Sequence, residues 1–115
     1  MSKPVGPYSP ALRAGEWLVC SGQIGAVEGR LVEGGFEPEL RQVLANLEAL
    51  LDSHGARMTD VVKTTVFLAD MADFALLNEV YVAAFGDHRP ARSAVGVAAL
   101  PLGARVEIEA WVHLG

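Results

Sequence analysis

PARSAVGVAALPLGARVEIEAW, residues 90–111, is the stretch on which the reading of this chain turns. Pro90 favours an extended start for the residues that follow, and the run from Ala91 to Leu100 is small and apolar apart from Arg92 and Ser93. After Pro101, Leu102 and Gly103 the chain returns with strict alternation. Val106, Ile108, Ala110 and Val112 fall on one face, while Arg105, Glu107, Glu109, Trp111 and His113 fall on the other. Both arms read as strands of a hairpin. One face of the return arm is core, and the other mixes two carboxylates with a tryptophan, which suits neither plain exposure nor plain burial. Arg92 at the mouth of the first arm, set against a glutamate of the second, forms either a solvated cross-strand ion pair or a pocket for a small polar ligand.

Working towards the N-terminus, Phe74, Leu77, Tyr81, Ala84 and Phe85 recur at helical spacing. Asp70 and Asp73 stand ready to cap that helix and Gly86 to end it. Asn78 lies between Leu77 and Tyr81, near the buried stripe. Val61 to Leu68 reads as a strand, with Val62, Thr64, Val66 and Leu68 on one side and Val61, Lys63, Thr65 and Phe67 on the other. From Pro38 to His54 the spacing of Leu40, Val43, Leu44, Leu47, Leu50 and Leu51 predicts a one-sided helix that must lie on a sheet. Trp17 to Ile24 is a further strand, whose alternation groups Trp17, Val19, Ser21 and Gln23. Gly22 within it predicts a bulge or a close backbone approach. A loose, glycine-rich connection follows, with a short strand at Arg30 to Val32. Pro4, Gly6, Pro7 and Pro10 make the first ten residues extended, and Tyr8 is the large side chain that anchors them.

The predicted architecture is α+β, a sheet with two helices packed on one face. At 115 residues the chain suits one domain spanning 1–115. The uncovered sheet face, carrying Trp111 among polar groups, calls for a symmetric oligomer, with Arg92 and the glutamates in clefts between subunits.

Composition narrows the function. A net charge of −5 without a basic patch argues against nucleic acid as a partner. Cys20 is the single cysteine, which excludes an internal disulfide and suits a reducing compartment. Its place inside a strand, with no activating cation nearby in sequence, predicts a buried, inert thiol. With neither a leader pattern nor a long apolar run, a cytoplasmic protein without membrane partners is expected. His54, His88 and His113 are scattered, the glycines match no dinucleotide or phosphate loop, and no lysine is placed for a Schiff base. Neither metal nor cofactor is expected.

Several short motifs in register resemble one known family. They are Gly6-Pro7-Tyr8-Ser9, Ser21-Gly22-Gln23, the run Val62 to Phe67, Asp73-Phe74 with Asn78 and Tyr81, Pro90-Ala91-Arg92-Ser93, and Glu107-Ile108-Glu109-Ala110. Their order is that of the reactive intermediate deaminases, RidA or YjgF-like, over essentially the whole chain. The resemblance implies a chorismate-mutase-like fold and a homotrimer with a central barrel and inter-subunit clefts. The implied activity is cofactor-independent hydrolysis of enamine and imine acids, such as 2-aminoacrylate and 2-iminopropanoate, to 2-keto acids and ammonia. It further implies that Arg92 grips the substrate carboxylate, that Glu107 holds or activates water, and that Tyr8, Ser21 and Asn78 line the substrate cleft. Two positions depart from the family pattern. Ala94 stands where many members have a cysteine, and Ala99 where a basic residue is frequent. Two other readings stay open, a non-catalytic trimeric ligand-binding or regulatory protein that uses the same cleft for small carboxylates or a partner, and a ribonuclease or translation inhibitor, which the acidic charge disfavours.

Overall fold

The computed structural model describes residues 6–115. Pro4, part of the expected extended start, lies outside them. The elements run β1 (Ala11–Ala14), β2 (Trp17–Ile24), β3 (Ala26–Val27), β4 (Arg30–Leu31), α1 (Phe36–Asp52), β5 (Val61–Leu68), α2 (Phe74–Phe85), β6 (Ala91–Gly96) and β7 (Val106–His113). Five strands form one sheet in the order β1-β2-β7-β5-β6, and β3 with β4 makes a separate small ribbon. The β5–β6 pair is parallel and the other pairs are antiparallel, so the sheet is mixed. Two helices pack on one face of it, as the amphipathic patterns require.

Helix α1 buries Leu40, Val43, Leu44, Leu47, Leu50 and Leu51. It starts at Phe36, two residues before the predicted Pro38. Gly35, at φ 93°, turns the chain into the helix, and a proline in the first turn removes an N–H that has no helical partner there. Against these side chains the sheet sets Leu18, Cys20, Val66, Leu68, Val106, Ile108, Ala110 and Val112, while α2 adds Leu77, Val80, Tyr81 and Phe85. The alternation predicted for β7 is the alternation observed, its even-numbered residues being buried. Asp70 caps the 3-10 turn before α2 by accepting from the Ala72 N–H at 2.9 Å. Asp73 makes no capping bond, contrary to expectation. Gly86, at φ 62°, ends α2 as predicted.

The predicted hairpin is replaced by a different arrangement, in which β6 and β7 lie on opposite sides of β5. The chain reaches β6 through α2, and a helical crossover returns a strand parallel to the one before it. That fills one edge of β5, so β7 must take the other. The link between the two strands straddles the end of β5, with the Val97 N–H donating to the Leu68 carbonyl and the Ala69 N–H to the Arg105 carbonyl.

Two bulges also shift the expected alternation. The register between β2 and β7 slips between Cys20 and Gln23, so that beyond Gly22 the pairs become Gln23 with Ile108 and Ile24 with Glu107. Gln23 therefore leaves the face it was expected to share with Trp17 and Val19. A second slip, between Val61 and Lys63, buries Val61 and exposes Val62. Strand β1 was not foreseen. It forms because Gly15, at φ 62°, opens a tight turn that folds Ala11–Ala14 back on β2.

Candidate active site

The chemically equipped residues fall into two groups, one on each face of the sheet. The first lies on the helix side, at the β6 edge. Arg92 is in register with Thr64 of β5, a fully buried core-side residue, and so projects toward α2. Its guanidinium carbon lies 5.0 Å from the centre of the Tyr81 ring and 5.5 Å from that of Phe74. The Tyr81 hydroxyl shares a 2.7 Å hydrogen bond with Thr64 Oγ1. Burial pushes the Tyr81 phenol above its ordinary range, partly offset by the Thr64 bond and by the charges of Arg92 and Arg89. Asn78, four residues after Phe74 and three before Tyr81, shares their side of α2. Ala94, at the position of the missing cysteine, packs against the core two residues beyond Arg92.

The second group lies on the open face, around the middle strand. Glu107 projects from β7 on the side away from the helices, and the bulge at Gly22 makes room for it. A Cβ on Gly22 would stand 2.6 Å from the Glu107 carboxyl carbon, so the bulge is present as expected but what closes on this glycine is a carboxylate side chain, not backbone. Partial burial, and secondarily the neighbouring Glu109 charge, raise the Glu107 carboxyl above the usual glutamate range. Ser21, beside Gly22, donates from its hydroxyl to the Ser9 carbonyl at 2.7 Å, and its N–H donates to the Pro10 carbonyl. These bonds pin the segment that carries Tyr8, whose side chain is exposed.

Arg92 and Glu107 are thus not the juxtaposed pair that a hairpin would have made. They point to opposite faces, and the charge that acts on Glu107 is that of Glu109, not of Arg92. The aromatic shelf under Arg92 has no signature in the sequence, where Phe74 and Tyr81 show only the spacing of a helix stripe. Arg92 lies on the strand that follows α2, and no local pattern signals that its guanidinium folds back over those rings. Cys20 is buried as expected, and desolvation pushes its thiol up to about 11. Among the described residues, no group of three His, Cys, Asp or Glu side chains is placed to hold a metal ion. No helix among them is long and apolar enough to cross a membrane.

A mixed sheet with two helices on one face and an arginine on its edge strand defines the class to which the comparisons also point. Residues 1–114 match the family described as Endoribonuclease L-PSP. The chain is 48% identical over 113 residues to a RutC family protein of Pyrococcus horikoshii, a match covering 96% of this chain and 90% of that protein. It is 48% identical over 108 residues to the 2-iminobutanoate/2-iminopropanoate deaminase of Homo sapiens, covering 92% of this chain and 79% of the other. Among solved structures, RidA from an Antarctic Psychrobacter superposes with a TM-score of 0.93 at 44% identity, covering 96% of this chain and 91% of that one. The chain belongs to this L-PSP family, the RidA/YjgF proteins.

Proposed function

We propose that this protein hydrolyses reactive enamine and imine acids, among them 2-aminoacrylate and 2-iminopropanoate, to 2-keto acids and ammonia. Catalysis takes place in clefts between the subunits of a homotrimer. One observation carries the reading. Arg92 and Glu107, the two groups the chemistry needs, project from opposite faces of one sheet, so a second copy must bring them together. The names of relatives nearly half identical over most of the chain support the reaction class.

In this reading the Arg92 fork holds the substrate carboxylate through two parallel hydrogen bonds. Glu107 takes a proton from water as the water oxygen bonds to the imine carbon and the C=N π electrons move to nitrogen. The proton then passes to that nitrogen, giving a carbinolamine. Glu107 next takes the hydroxyl proton as the carbonyl forms and hands it to the nitrogen, so that the C–N bond breaks with release of neutral ammonia and the 2-keto acid. A carboxyl raised toward neutrality is suited to both accept and return that proton. An enamine first takes a proton on carbon to become the imine. Positioning and proton transfer supply the acceleration without a cofactor. Tyr8, Ser21 and Asn78 complete the cleft. The open sheet face supports the trimer, since Trp17 and Trp111 meet edge to face on it, 39% and 44% exposed, and three such faces can close around a central barrel.

The test is keto-acid release from imines generated in place by an amino-acid oxidase. The protein should accelerate release, and Arg92→Ala should abolish the acceleration. Binding of 2-keto acids with no acceleration for any imine would establish a binding protein instead.

A further inference from the structure

Arg92 occupies the outermost strand, where a long side chain is free to sweep through solvent unless something restrains it. Carboxylates are the usual restraint, but they consume the N–H donors that would grip an anion. Among the described residues the Arg92 side chain has neither an ion pair nor a hydrogen bond to another side chain or carbonyl. Its guanidinium lies instead over the rings of Tyr81 and Phe74, at 5.0 and 5.5 Å. Ring faces attract the cation through their quadrupole and leave the donors at the guanidinium edge available. The Tyr81 ring is itself fixed, because its hydroxyl bonds to Thr64, which is fully buried and is the register partner of Arg92. Strand, ring and guanidinium form a closed circuit that sets the height and direction of the fork.

We propose that Tyr81, anchored by Thr64 and assisted by Phe74, is a positioning residue that aims Arg92 at the substrate carboxylate without occupying its donors. This rests on Arg92 being the carboxylate clamp of the proposed deaminase. It assigns the selectivity for acids over their neutral analogues to an aromatic shelf as well as to the arginine.

The experiment compares binding of 2-oxobutanoate and of its neutral analogue 2-oxobutanamide by calorimetry, on variants whose circular dichroism and sedimentation match the parent. Tyr81→Leu should weaken the acid about tenfold while changing the amide less than about twofold, and Tyr81→Phe, which keeps the ring, should hold the acid within about threefold of the parent. In an Arg92→Ala background, Tyr81→Leu should have no further effect on the acid. Should Tyr81→Leu fail to fold, Phe74→Leu, at a 37% exposed position, makes the same comparison. Equal losses for acid and amide, or an undiminished effect in the Arg92→Ala background, overturn the positioning role alone. An Arg92→Ala variant that binds the acid as well as the parent overturns the deaminase reading and this proposal with it.

Discussion

The carboxyl group of Glu107 occupies the space that a side chain on Gly22 would fill, its carbon 2.6 Å from where a Cβ would stand. The backbone at Gly22 is not in the left-handed region, so alanine is conformationally acceptable there. The clash is with the far end of a flexible side chain, which can swing away at little energetic cost. Gly22→Ala should therefore shift the melting temperature by no more than about 3 °C while lowering kcat roughly tenfold or more, because a displaced carboxylate no longer orients water. A thermal melt and a steady-state assay on the same preparation check both halves.

Activity should follow the ionisation of Glu107. Burial is the larger cause of its raised pKa and Glu109 the smaller. If the carboxylate activates water, kcat/KM rises with pH through that pKa. Glu109→Gln should move this acid limb to lower pH without carrying it back to the ordinary glutamate value. Stability has the opposite sign. The folded chain holds the Glu107 proton to higher pH than the unfolded chain, so stability falls as pH rises between the two values, and the loss is complete above the folded pKa. Glu107→Gln should flatten that part of the profile in denaturant titrations at stepped pH.

Asn46 holds the far end of β2. It is buried, donates to the Ile24 carbonyl at 3.1 Å and the Ala26 carbonyl at 2.9 Å, and accepts from Gln42. Asn46→Leu leaves those groups without this partner in the interior and should cost about 3 kcal/mol in urea unfolding.

Trp111 stands on the open sheet face against Trp17. Sedimentation should give a species of three chains. Trp111→Lys, which puts a charge on the face proposed to be covered by neighbouring subunits, should yield monomers that keep their secondary structure and lose deaminase activity. A parent protein that sediments as a monomer at micromolar concentration overturns the trimer.

Much of this could be read before any coordinates. The six leucine and valine positions of α1, the two faces of β7 and the special status of Gly22 are local patterns, and local patterns survive folding. The partner of a strand is not local. Whether β7 meets β6 or β5 depends on a crossover twelve helical residues long and on which edge is already taken. Bulges are equally hidden, and those near Gly22 and Val62 moved Gln23 and Val62 off their expected faces. Arg92 and Glu107 stood out by residue type and setting, yet their separation onto two faces follows only from register. Phe74 and Tyr81 could be placed on a helix stripe, but not beneath a guanidinium.

Because Arg92 hangs from the outermost strand on one face and Glu107 from the middle strand on the other, no chain owns a whole catalytic centre under the proposed reading. Two defective genes should then rescue one another. Arg92→Ala and Glu107→Gln chains, each inert when pure, should regain part of the parental turnover when unfolded together and reassembled, since some seams will join an intact arginine to an intact glutamate. Homogeneous inactivity after such shuffling, with mixed trimers verified by mass, would show that both groups serve from within a single polypeptide.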